Sequence, residues 1–158
     1  FDDPVAAFSN IRGALKENGR LSFVCWRALD ENPWMSVALG VAYIFVAPPE
    51  AIPPNSPGPF MLAAPDRVRE ILSAAGYADI SVAPLNEEIY LSGPGTVAEA
   101  AQHPCRMGPV ARVLADSDDD TKRQVEAALN TTLAPYHDGT GVRMASSCSI
   151  VTAGVGSH

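Results

Sequence analysis

The sequence predicts an α/β layer architecture, on three observations. Apolar runs suited to strands (Leu21 to Trp26, Ile80 to Leu91, Val142 to Ala153) alternate with stretches of helical periodicity. Turn residues mark most of the changeovers, and the order runs helix, strand, helices, strand, helices, strand. A chain of 158 residues, 47% of them hydrophobic, can bury a core of its own, so residues 1–158 are expected to form a single domain.

The elements follow in order. Asp2 and Asp3 can cap a first helix, and Pro4 suits its first position. Val5, Phe8, Ile11 and Leu15 give it one apolar stripe, and Asn18-Gly19 suits its end. The run LSFVCW is apolar almost throughout, as in a strand covered on both faces. Met35 to Ala47 reads as a helix. Its most apolar part, from Ser36, is too short to cross a bilayer, which takes roughly 20 residues. Pro48, Pro49, Pro53, Pro54, Pro57 and Pro59 make residues 48–60 a proline-rich surface loop and a candidate lid. Pro65 opens a helix with Val68, Ile71, Leu72 and Ala75 on one stripe, which Gly76 ends. Pro84 weakens the strand Ile80 to Leu91 and marks it as an edge or a bulge. Thr96 to Ala115 is helical but interrupted at Pro104 and at Gly108-Pro109. Asp119 or Asp120 can cap the next helix, whose Val125, Leu129, Leu133 and Tyr136 share a face, and Asp138, Gly139 and Gly141 turn the chain into the last strand.

Composition excludes several classes of function. A net charge of −7 provides no basic field, so neither nucleic acid nor an anionic membrane surface is an expected partner. Cys25, Cys105 and Cys148 are widely and irregularly spaced, which fits buried free thiols in a reducing compartment and places the protein in the cytoplasm. Asp116, Asp118 and Asp120 alternate as in a calcium loop, but Thr121 and Ala127 stand where that loop needs Gly and Glu. His103, Cys105, His137, Asp138 and Cys148 show no zinc spacing, so no metal is expected. Cys25 ends its strand where α/β sheets place ligands, yet no base is assigned to it and a small core hydrophobe is the plainer role. Ser146, Ser147 and Ser149 lack the G-x-S-x-G elbow. The glycine pairs 93/95 and 139/141 are not expected to lie between a strand and a helix N-terminus in phosphate-cradling order, so no cofactor loop is read. Trp26 and Trp34 flank RALDENP after the first strand and Phe60 follows the proline-rich loop, so these aromatics either line a pocket or pack in the core.

Three stretches, FDDPVAAFSNIRGALKENGRLSFVCWRALDENPWM, PGPFMLAAPDRVREILSAAGYADISV and GVRMASSCSIVTAG, together resemble the C-terminal half of a class I S-adenosylmethionine-dependent methyltransferase, nearest the ubiquinone and menaquinone biosynthesis group. That family's strands run 3-2-1-4-5-7-6. The resemblance therefore implies a partial Rossmann-like fold: a mixed sheet of three main strands in the order 5-7-6, with flanking helices and the last strand antiparallel between the other two. It further implies that the cofactor-holding half precedes Phe1 in a full-length parent that uses S-adenosylmethionine, with none bound by this chain alone. Phe1 and Asp2 would lie nearest the cofactor. Trp26, Arg27, Trp34, Phe60, His103 and Met107 would form the pocket for a small apolar or aromatic acceptor. Catalysis in such enzymes rests on proximity and orientation, so no catalytic residue is assigned. The first strand's open edge would be covered by the missing half or by a second copy in a homodimer. A non-catalytic binding or assembly module dimerising through that edge is the alternative.

Overall fold

The structure, a computed structural model, describes residues 2–49 and 57–156. Phe1, Pro53 and Pro54, expected near the cofactor and in the proline-rich loop, lie outside the described residues. Helices α1 (Pro4–Ala14), α2 (Pro33–Phe45), α3 (Pro65–Ala74), α4 (Val97–Arg106), α5 (Gly108–Val113) and α6 (Asp119–Leu133) accompany strands β1 (Arg20–Trp26), β2 (Ala78–Tyr90) and β3 (Arg143–Gly154). The three strands form one sheet in the order β1-β3-β2. β3 runs antiparallel to β1, with Leu21 opposite Ala153 and Trp26 opposite Cys148. It also runs antiparallel to β2: the Leu91 N–H bonds the Val142 carbonyl at one end, and Gly154 lies against Ala78 at the other. This is the order and polarity that the resemblance implies. The chain divides into two compact units, residues 2–31, 57–86 and 147–156 in one, residues 32–49 and 87–146 in the other.

In the first unit α1 and α3 pack together over one face of the sheet. Asp3 caps α1, accepting the Ala6 N–H at 2.9 Å, and Pro4 opens it. The helix ends at Ala14, earlier than Asn18-Gly19: Leu15 is already extended, and Asn18 uses its tolerance of positive φ (62°) in the turn that feeds β1. α3 ends at Gly76 as expected. With φ 85° this glycine allows the Tyr77 N–H to reach the Leu72 carbonyl and its own N–H to reach Ser73, two bonds that close the helix. Phe8, Val68, Ile71, Leu72, Tyr77, Val151 and Ala153 form the buried core, with half-buried Leu21, Phe23 and Cys25 of β1 against it. The Phe8 and Phe23 rings lie 5.3 Å apart, and the Tyr77 hydroxyl donates to the Phe8 carbonyl at 3.2 Å. β1 is therefore covered on one face and not on two. Arg20, Ser22 and Val24 are exposed, and Val24 (58% exposed) faces Ile150 (38%) across the strand pair.

In the second unit α2, α4, α5 and α6 pack on one another. Ala38, Ala42, Ala100 and Ala101 are almost wholly buried, and such small side chains let helix backbones approach closely. Leu114, Val125, Leu129 and Leu133 fill the space between. Asp118 caps α6, accepting the Thr121 N–H at 2.7 Å, one residue before the caps read from the sequence. Tyr136 leaves the shared face and is exposed, because the chain tightens into a 3-10 turn at Ala134–Tyr136. Asp138 organises the turn into β3. Its carboxylate accepts the Thr140 N–H at 2.8 Å, the Gly141 N–H at 3.1 Å and the Tyr90 hydroxyl at 2.9 Å.

Alternating burial along β3 slips by one residue. Met144 and Ser146 are buried in the second unit, then Ser147, Ser149, Val151 and Ala153 in the first, the pattern an extra residue in a strand produces. β2 slips likewise at Ala83-Pro84, and it occupies a sheet edge, where a missing N–H is tolerated.

Leu129 is fully buried, so Leu129→Ala should lower stability in urea unfolding by about 2–5 kcal/mol, the cost of lost transfer energy plus a cavity. A second expectation concerns pH. Backbone N–H bonds, from Thr121 and Thr140 respectively, hold the Asp118 and Asp138 carboxyls below the usual carboxylate range. A depressed folded value stabilises fully above the unfolded value of about 3.9 and is lost as pH falls through the lower folded value. The melting temperature should therefore hold near neutrality and fall below about pH 4, and Asp118→Ala combined with Asp138→Ala should make that acid decline shallower.

Candidate functional site

Within the second unit, Leu91, α2, the end of α4 and the start of α5 border an open-sided cavity of about 180 Å³, lined by Trp34, Met35, Ala38, Leu91, His103, Pro104, Met107, Gly108, Pro109 and Val110. Each wall has a local cause. Asn32-Pro33 starts α2, and the fully buried Asn32 spends its Oδ1 on the Trp34 indole N–H (3.0 Å) instead of capping the helix. Trp34 and Ala38, four residues apart, share a helical face. On the opposite wall α4 carries Pro104 without ending there. The proline removes one helical bond, yet the helix continues to Arg106, and the break expected at Pro104 falls at Met107. Met107 is extended, and Gly108 takes φ 83°, a conformation costly for other residues, to start α5 in a new direction. His103 and Met107, one turn apart, thereby border the same space.

The chemistry of the cavity is simple. No charged side chain lines it, apart from what the His103 ring can carry. Of its lining side chains only Trp34 and His103 bear strong hydrogen-bonding groups. The indole N–H is already engaged, while among the described residues the His103 ring has no hydrogen-bond partner. Met107 is 59% exposed and stands at the rim.

Of the six residues expected in an acceptor pocket, the structure brings Trp34, His103 and Met107 to this one cavity. Trp26, Arg27 and Phe60 belong to the first unit. There Arg27 Nη2 pairs with Glu31 Oε1 at 2.6 Å, which holds the Glu31 carboxyl below its usual range. Trp26 lies half-buried at the end of β1, Phe60 is half-buried before α3, and Asp2 is exposed ahead of α1. The pocket residues missed from sequence are Met35, Ala38, Leu91, Pro104, Gly108, Pro109 and Val110. Ala38 was recoverable as the residue one helical turn beyond Trp34, whereas Leu91 carries no local signal.

The other candidate groups resolve into structural roles. The thiols are half-buried rather than fully buried, and burial raises the pKa of Cys25, Cys105 and Cys148. Cys25 Sγ donates to the Leu62 carbonyl at 3.4 Å, and a protonated, buried thiol is a poor nucleophile. Ser146 donates to the Glu87 carbonyl and Ser147 to Asn86 Oδ1. Among the described residues no three His, Cys, Asp or Glu side chains gather as a metal site. Gly93 and Gly95 lie between a strand, β2, and a helix, α4. The helix end is nevertheless occupied. Glu99 reaches back to the Thr96 N–H (2.7 Å) and hydroxyl (2.9 Å), and Thr96 Oγ1 accepts the Glu99 N–H, so a carboxylate already fills the position an anionic or ribose group would take.

Neither a protein-family model nor a curated protein matches the chain. Among solved structures it is similar to a protein from Bacillus halodurans C-125 assigned as a methyltransferase, at 13% identity and a TM-score of 0.46, covering 99% of this chain and 65% of that one. It is also similar to Haemonchus contortus phosphoethanolamine N-methyltransferase 2, solved in complex with phosphomonomethylethanolamine and S-adenosylhomocysteine, at 15% identity and a TM-score of 0.37, covering 98% of this chain and 30% of that one. The chain spans less than two thirds of the length of either.

Replacing Asn32 with Ala removes the Oδ1 that accepts the half-buried Trp34 indole N–H, a hydrogen bond worth about 0.5–1.5 kcal/mol. Urea unfolding should show that loss for Asn32→Ala. In the same background Trp34→Phe, which removes the other partner of that bond, should cost less than it does in the native protein; additive losses would contradict the coupling.

Proposed function

We propose that this chain is the acceptor-side part of a class I S-adenosylmethionine-dependent methyltransferase domain of the ubiquinone and menaquinone type, transferring a methyl group to a small apolar or aromatic acceptor. The observation that carries the reading is the sheet: the order is β1-β3-β2, with β3 antiparallel to β1, as for the fifth, seventh and sixth strands of that family. In this reading the two units belong to one domain, and β1, an edge among the described residues, is the strand on which the cofactor-holding strands continue. The Trp34, His103 and Met107 cavity is the acceptor site. Positioning supplies the rate, as it does where two bound reactants are held in line.

The test reads the coding frame upstream of Phe1 and assays its whole product with methyl-labelled S-adenosylmethionine. A strand followed by a glycine-rich turn, and label transferred to a small aromatic acceptor, are the expected results. This chain by itself should show no tight S-adenosylmethionine binding in calorimetry. Stoichiometric sub-micromolar affinity would contradict the division of roles.

A second reading, an assembly module that dimerises through β1, is favoured by one observation: Val24 and Ile150 are exposed side by side next to the open edge. Sedimentation of this chain at micromolar concentration would then give a dimer, which Val24→Lys should dissociate by placing a charge at that edge.

A further inference from the structure

We infer that the cavity of the second unit is a binding site for a single uncharged aromatic ring bearing one hydroxyl or carbonyl group, with the ring against Trp34 and the polar group on His103. Three features select this class. The volume, about 180 Å³, compares with the apolar cavity of about 150 Å³ that accommodates benzene, so the space suits one substituted ring, and its open side leaves room for a substituent that extends into solvent. The lining is apolar and carries no fixed charge, which makes entry of a carboxylate or phosphate costly.

The third feature is the division of hydrogen bonding. The Trp34 indole N–H is held by Asn32, so Trp34 presents a ring without an available donor, a surface for offset or edge-on aromatic contact. His103 is left as the one strong hydrogen-bonding side chain facing the space. A neutral imidazole has one donor and one acceptor nitrogen, so it can receive a phenolic O–H or give an N–H to a ring carbonyl. Met107 at the rim is unbranched and flexible, suited to admitting a ring and closing over it. The inference rests on the methyltransferase reading only in calling this ring the acceptor; the site itself stands on the cavity.

The test is a fluorine NMR titration of the chain at pH 8 with 4-fluorophenol, its near-isostere 4-fluorotoluene, and the anion 4-fluorobenzoate. Saturable binding of the phenol and the toluene is expected, with the benzoate at least about tenfold weaker. His103→Leu should weaken the phenol by roughly three- to tenfold, the worth of one hydrogen bond, while leaving the toluene unchanged or tighter. Ala38→Val, which adds volume inside the cavity, should weaken both rings. Because Ala38 is buried and its variant could fail to fold, nuclear Overhauser contacts from the bound phenol to the Trp34 indole locate the site in the unaltered chain. No saturable phenol binding, equal affinity for the benzoate, contacts away from Trp34, or indifference to His103→Leu would each overturn the inference. Such a failure leaves the methyltransferase reading to its own assay, and ring binding by a protein that transfers no methyl group would leave the site standing.

Discussion

Strand β3 is hydrogen-bonded to a neighbour on each side, and the rest of the described structure depends on its two ladders. Without β3, neither β1 nor β2 has a described partner strand, and each would present a row of unsatisfied N–H and C=O groups. The one-residue slip at Ser146–Ser147 makes a single strand serve two cores. Met144 is buried in the second unit, while Val151 and Ala153 belong to the buried core of the first with Phe8 and Leu72. Ser146 and Ser147 at the slip are paired with Glu87 and Asn86, so the irregularity leaves no buried hydroxyl unsatisfied.

The cavity is likewise the product of two local interruptions. An ordinary capped start for α2 would free the indole of Trp34 from Asn32, and an unbroken helix from Thr96 to Ala115 would carry Met107 and Val110 around the cylinder, away from a common wall. The buried Asn32 thus costs desolvation and returns a fixed ring orientation. The break at Met107-Gly108 forgoes helical hydrogen bonds and creates a concave surface.

Much of the fold was legible because its signals are local. Asp3-Pro4, Pro65 with Gly76, and the stripe Val125, Leu129, Leu133 each encode an element within a few residues, and Pro84 marked an edge strand through its missing donor. What the sequence hid was settled by competition between equivalent local choices. Asp119 and Asp120 both suit the start of α6, yet the neighbouring Asp118 caps it. Asn18 can end a helix or turn the chain, and it turns it. The coverage of β1 on one face depends on α1 and α3 and cannot be read from LSFVCW. The order β1-β3-β2 came from resemblance to a family, since no periodicity specifies which strand lies in the middle. Trp34, His103 and Met107 were singled out for residue type, but their shared cavity depends on Leu91 and on the α4–α5 break, neither of which advertises a pocket.

The central position of β3 also has a consequence for biosynthesis. Its bonds to β1 bridge 124 residues of sequence at Cys25 and Ser149, so the middle of the sheet is the part made after both of its edges. At translation rates of about 5–20 residues per second, β1 waits on the order of ten seconds for its partner. Throughout that interval the ladder groups of β1 that face β3 lack their partner, while Leu21 and Phe23 already have Phe8 and α3 to pack against. Completion of the sheet is thus tied to the last part of the chain to be made, even where the finished sheet is stable.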